Sequence, residues 1–290
     1  MNKEIDNVVL LIPIHPKDYN YIYNFILDIH SKIDIYLIFS SNEDYSTFIY
    51  KDLIYEIIIP EDIINSKNFI SSIITSKKYY GLKYLITSNY DYIIVCDAEI
   101  DFIRSNFTKE NVTNKINNIF ENKMLYAGRS NDSFSSFISF VNEKSTIIFK
   151  DPENYDKIKN ITKDFTLFYW FSNLPVYKRD YLVDFFEKID LNNDISYHCY
   201  DYIVFCNYLL IYHNFTILDH TDVLDYTDVI KKYNRHLGSL EIFNTTNMDS
   251  IKYLQNNKYG FSFVFHKFFK TNEEYLTNEG TFIIFHLDRD

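Results

Sequence analysis

In the first hundred residues, short apolar runs alternate with segments whose apolar residues recur at helical spacing. Residues 7 to 14, "NVVLLIPI", are almost wholly apolar, which predicts a strand buried on both faces. The following "KDYNYIYNFILDIHS" places Tyr19, Ile22, Tyr23, Ile26 and Leu27 at helical period. "IDIYLIFSS", residues 33 to 41, predicts a second strand, "EDYSTFIYKD" a short helix, and "IYEIIIP" a third strand closed by Pro60. A longer helix is expected over residues 66 to 88 and a fourth strand over "DYIIVCD". Buried strands separated by helices specify an α/β fold. Its sheet is doubly wound and mostly parallel, with helices on both faces and right-handed crossovers.

After residue 105 the pattern is less regular. "NVTNKINNIFENK" predicts a helix, "MLYAG" a short strand, "SFISFVNEKSTIIFK" a hairpin, and "DFTLFYWFSNLPVY" a strand running into a proline turn. "KRDYLVDFFEKI" and the strongly apolar "YHCYDYIVFCNYLLIYHN" predict helices. "FTILDH" predicts a strand, and "GTFIIFHLDRD" a last one with His286 near its end. No repeat, low-complexity linker or charge block interrupts the chain, so a single domain over residues 1–290 is expected.

Composition adds a core and removes some partners. Apolar residues make up 47% of the chain, ample for a buried interior. The 27 tyrosines and 26 phenylalanines accompany abundant Ile, Asn and Lys, all with AT-rich codons, so most tyrosines read as filler. A net charge of −11 argues against nucleic acid as the main partner, because phosphate contacts need clustered Lys and Arg. It also disfavours an anionic membrane surface. A phosphate-bearing small molecule would need its charge offset locally.

Cys96, Cys199 and Cys206 form no CxxC pair, and their odd number gives neither a disulfide framework nor a zinc signature. The first apolar run is too short and its flank too acidic for a signal peptide. No run approaches a transmembrane span. The expectation is a cytoplasmic protein without a transmembrane segment.

The fourth strand carries the chemistry. In "NYDYIIVCDAEIDFI" a buried run ends in Asp97, Glu99 and Asp101. Ligands of doubly wound sheets bind beyond the carboxyl ends of the strands. Residues two apart on an extended segment point the same way, so Asp97 and Glu99 can converge on one ion. Mn2+ or Mg2+ takes oxygen ligands and often combines few carboxylates with substrate phosphates. A divalent cation would thus let an acidic protein hold a diphosphate. Asp101 either joins them or caps the next turn. The competing reading is a solvated strand end.

Other strand ends supply Pro13 and His15, Ser41 with Asn42, and Pro60 with Glu61 and Asp62. Ser41 is either a helix N-cap or a ligand contact. His15, before Pro16, is either a turn residue or a ligand contact.

"KKYYGLKYLITSNYDYIIVCDAEIDFI" resembles the core of the nucleotide-diphospho-sugar glycosyltransferases of GT-A fold. There a helix bearing Lys or Arg precedes a strand ending in a DxD-type motif. "VVLLIPIHPKD" and "IDIYLIFSSNED" are similar to the first two strands of that fold. "YWFSNLPVYKRDYLVDFFEKI" is similar to an acceptor-side segment. The second acid is Glu99, where the motif usually has Asp.

The resemblance implies a GT-A-like, Rossmann-type fold that moves a sugar from a nucleotide donor, UDP- or GDP-linked, to a hydroxyl of a glycan or small acceptor. Residues 1–105 would form the nucleotide-sugar-binding half and 106–290 the acceptor-binding half. Asp97 and Glu99 match the metal-binding pair, with Mn2+ or Mg2+ as the cofactor. Lys77, Lys78 or Lys83 would meet donor phosphate or ribose. Lys83 falls on a different helix face from Lys77, so all three cannot.

Asp201, entering an apolar helix, is the candidate catalytic base, and a helix-terminal acid is its competing role. His286, ahead of His266 and His220, is the histidine expected to reach metal or diphosphate. Trp170, the only tryptophan, lies in a segment suited to floor an acceptor site or to pack in the core.

Two other activities remain as alternatives. One is a sugar-phosphate nucleotidyltransferase, disfavoured because "IPIHPKDYN" lacks a glycine-rich loop. The other is a catalytically inactive glycan-binding or assembly module.

Overall fold

The computed structural model describes residues 7–65, 73–98, 100–102, 109–130, 144, 148–149, 151–162, 166–168, 175–191, 199–219, 262–266 and 282–286. In chain order the strands are β1 (Val8–Pro13), β2 (Asp34–Phe39), β3 (Tyr55–Ile58), β4 (Tyr92–Val95), β5 (Ile100–Phe102), β6 (Met124–Ser130), β7 (Thr166–Phe168), β8 (Val176–Lys178), β9 (Thr216–Asp219), β10 (Ser262–His266) and β11 (Phe282–His286). The helices are α1 (Tyr19–Ile29), α2 (Asn42–Thr47), α3 (Glu61–Ile64), α4 (Ile73–Leu85), α5 (Lys109–Glu121), α6 (Pro152–Thr162), α7 (Arg179–Lys188) and α8 (Asp201–Tyr212). The fold is α/β, with a mostly parallel mixed sheet flanked by helices.

The chain forms two compact units. One comprises residues 1–117, 175–197 and 289–290, and the other residues 118–174 and 198–288. Residues 175–197 thus return to the first unit.

The sheet of the first unit runs β3-β2-β1-β4-β8. Strands β3, β2, β1 and β4 are parallel, and β8 is antiparallel to β4. β1 and β4 are buried along their whole length, as uninterrupted apolar runs require. The two faces can be told apart at adjacent residues of β2. Tyr19 of α1 packs edge-on against Phe39, with ring centroids 6.5 Å apart. A Cβ placed on Gly81 of α4 would strike Ile38. Successive strand residues point to opposite faces, so α1 and α4 cover opposite sides of the sheet.

Gly81 marks the closest approach. Its missing Cβ would also stand 2.9 Å from a methyl of Leu11 in β1. The sheet's edge at β8 carries Lys178, whose ammonium lies 6.0 Å from the Tyr92 ring and 5.9 Å from that of Tyr181. A charged edge of this kind discourages pairing with another chain.

In the second unit, β6 pairs antiparallel with β7 and parallel with β9. α8 is buried from Ile203 to Ile211, which suits its almost unbroken apolar sequence. β10 and β11 pair in parallel with His266 opposite His286. The hairpin expected over residues 136–150 falls almost wholly outside the described residues, as does Trp170.

Candidate active site

The strand order makes β1 the point of reversal. The chain leaves β1 for β2 on one side and later enters β4 on the other, so the carboxyl ends of β1 and β4 are where a doubly wound sheet would take a ligand. The ladder continues past the strand ends and locks this region. Ile14 N–H donates to the Ile38 carbonyl at 3.1 Å, and Cys96 N–H donates to the Leu11 carbonyl at 3.0 Å. Asp97 therefore leaves β4 beside the end of β1.

Two consecutive lysines of α4 reach these two strand ends. Lys77, only 2% exposed, donates from Nζ to the Ile14 carbonyl at 2.5 Å. Burial lowers its pKa from 10.5 to about 8, against the opposing pull of the Asp44 and Asp18 carboxylates. Lys78 pairs with Asp97, Nζ to Oδ1, at 3.0 Å. The Lys78 side chain is 15% exposed and that of Asp97 49%, so the protein holds the ammonium while the carboxylate looks toward solvent. Burial pushes the neighbouring Cys96 thiol far up, and it stays protonated.

The β1–α1 connection is a built turn. His15 Nδ1 accepts from Lys17 N–H at 3.2 Å, and Asp18 Oδ2 accepts from His15 N–H at 3.1 Å. This reciprocal cap, with Pro16 opening the short helix, gives His15 the turn role. Pro13 ends β1 and is buried. Ser41 takes the capping role: its Oγ accepts from Asp44 N–H at 3.1 Å at the start of α2.

Pro13, His15, Ser41 and Asp97 all stand at carboxyl ends of one sheet. Lys83 does not. α4 runs against the strands, from the level of Ile14 at Lys77 to that of Leu11 at Gly81. Lys83 lies further on, exposed in the last turn, away from the carboxyl ends. The buried Asp18, whose carboxylate caps the His15 turn, went unweighted in the sequence. The signal was the "HPKD" turn, a proline-opened cap with an acid three residues after His15.

Glu99 lies outside the described residues, as does His220. Asp101 is in β5. Among the described residues, no group of three His, Cys, Asp or Glu is gathered as a metal site. A half-exposed carboxylate completed by ligand phosphates is nevertheless a mode that magnesium and manganese use, and Asp97 fits it. Asp201 belongs to the second unit. It is the first residue of α8 and 4% exposed, where the helix dipole favours its charge. His286 ends β11, also in the second unit.

No family model matches the sequence, and no curated protein matches it. Among solved structures, the chain is similar to the mannosyltransferase Ktr4p from S. cerevisiae. Identity is 13% over 75% of this chain and 69% of that one, with a TM-score of 0.39. Ktr4p in complex with GDP matches at 13% identity over 72% of this chain and 62% of that one, with a TM-score of 0.30. CMP:2-keto-3-deoxy-manno-octonic acid synthetase complexed with CTP matches at 10% identity over 74% of this chain and 89% of that one, with a TM-score of 0.38. At these identities and TM-scores, none of the three carries an argument about what this chain does.

Proposed function

We propose that the chain is a glycosyltransferase that moves a sugar from a nucleoside-diphosphate donor to a hydroxyl of a glycan or small acceptor. The observation that carries this reading is the Lys78–Asp97 pair beyond β4, beside the end of β1 at the reversal point of the sheet. An ammonium and a solvent-facing carboxylate together suit a diphosphate with its cation. The sequence resemblance to the GT-A glycosyltransferases supplies the reaction class.

Asp97 and Glu99 are the residues we assign to a bound Mn2+ or Mg2+. When bound, such an ion offsets the charge that builds on a departing nucleoside diphosphate. Lys78 contributes positive charge to the same end. Lys77 ties α4 to the Ile14 carbonyl and so fixes the helix that presents Lys78. Asp201 is the base we assign to the acceptor hydroxyl. What supports it is a carboxylate that is 4% exposed at the start of an apolar helix, where a base is shielded from bulk water. His286 is assigned to the diphosphate or metal from its place at a strand end.

Thermal unfolding against UDP-, GDP-, CMP- and dTDP-sugars, with and without Mn2+, tests the reading. A ligand that binds only the folded protein raises the melting temperature by mass action. The expected result is a Mn2+-dependent rise with one nucleotide class that is lost in Asp97→Asn. Unchanged melting with every donor, in a protein that folds normally, would leave the inactive binding module as the better reading.

A further inference from the structure

The Lys78–Asp97 contact has two possible histories in a working site. Either it is a permanent brace, or it holds the carboxylate until a ligand arrives. We propose the second: Lys78 is a tethered counter-cation that occupies Asp97 in the ligand-free protein and yields it to a divalent cation when a diphosphate takes up the ammonium. The inference rests on the reading of Asp97 as a metal ligand and deepens it.

Three observations support it. First, the base of Lys78 is fixed. Its neighbour Lys77 is buried and bonded to the Ile14 carbonyl, and four residues on, Gly81 is pressed against Ile38 and Leu11. α4 therefore cannot slide, and any movement of the ammonium comes from its four-carbon stem alone. Second, consecutive helix residues diverge by about 100°, which sends Lys77 to β1 and Lys78 to β4. The two ammonium groups thus reach the ends of neighbouring strands. Third, the carboxylate is far more exposed than its partner, 49% against 15%. A cation from solvent reaches Asp97 directly, and what it meets there is the charge of Lys78.

An ammonium 3.0 Å from the carboxylate repels an incoming divalent ion, so bare metal binds weakly. A diphosphate reverses the balance, because it attracts both the ammonium and the ion. Metal and diphosphate then bind with positive coupling, and the free protein does not trap metal ions without a donor to use.

The test is Mn2+ binding to the nucleotide-free full chain, read from the free-ion signal in electron paramagnetic resonance. Wild type, Lys78→Met, Lys78→Gln, Lys78→Arg and Asp97→Asn are compared, each checked for folding by circular dichroism. Removing the ammonium in Lys78→Met or Lys78→Gln is expected to tighten Mn2+ about tenfold. Lys78→Arg keeps the charge and should bind as weakly as wild type, while Asp97→Asn loses the ion. Inorganic pyrophosphate added to wild type should tighten Mn2+ by a similar factor, and this gain should vanish in Lys78→Met.

If the charge-removing variants bind Mn2+ no better than wild type while Asp97→Asn still loses it, the tethered-cation idea is overturned and the metal assignment survives. If Asp97→Asn binds Mn2+ like wild type, or no variant binds it at all, the metal assignment fails and takes this inference with it.

Discussion

Lys77 places an ammonium inside the first unit, where it donates to a backbone carbonyl, that of Ile14. Its pKa falls from 10.5 to about 8 because burial disfavours the charged form. Between those values the unfolded chain binds more protons at this residue than the folded one. Stability contributed by Lys77 therefore rises with pH across the window, and the desolvation cost is fully felt below pH 8. Lys77→Met fills the same space without a charge. Urea unfolding at pH 8 and pH 9.5 should show wild type gaining about 2 kcal/mol relative to the variant. Parallel stabilities across that range would mean that the ammonium is not desolvated. The sequence puts Lys77 and Lys83 on different faces of one helix but does not say which of them meets the ligand end of the sheet. Only the direction of α4 against the strands sends one to the ligand end and the other to solvent.

At the scale of elements, α4 lies close on the sheet because Gly81 has no side chain. Gly81→Val would drive two methyl groups into Ile38 and Leu11, both fully buried. We expect a loss of about 3 kcal/mol from this overpacking, measured by chemical denaturation. An unchanged midpoint would mean that the two side chains retreat freely. β1 to β4 and α1 of the first unit were legible in the sequence because each carries its own period: β1 and β4 are unbroken apolar runs, and α1 has a clear stripe. α6 was not legible, because its few apolar residues make a thin stripe on a polar helix. Its start signal was present all the same. Asp151 Oδ1 accepts from Glu153 N–H at 2.9 Å, and Pro152 opens the first turn. The candidate site was legible as acids at a strand end. Lys78 as the partner of Asp97 was not, since pairing depends on how a helix and a strand separated by a turn come to lie together. His15 and Ser41 turned out to make caps, which local hydrogen-bond geometry decides and residue type alone does not.

At the scale of the molecule, the first unit is sewn from separate stretches of chain. Residues 1–117 supply four strands of its five-stranded sheet, and residues 175–197 return with β8 and α7. β8 covers the open side of β4: Val95 N–H donates to the Pro175 carbonyl at 2.9 Å, and Arg179 N–H to the Asp91 carbonyl at 2.9 Å. α7 brings Phe185, fully buried, against Tyr79 of α4, with ring centroids 6.5 Å apart. A chain ending at Glu121, the last residue of α5, would keep the acid-bearing strand but leave β4 as a bare apolar edge. We expect this fragment to aggregate and to show no cooperative thermal transition. Joining residues 175–197 to it through a flexible Gly/Ser linker should restore one. A sharp transition in the shorter fragment would instead mean that the four parallel strands fold without their antiparallel neighbour. The Lys78–Asp97 site would then belong to the N-terminal stretch alone.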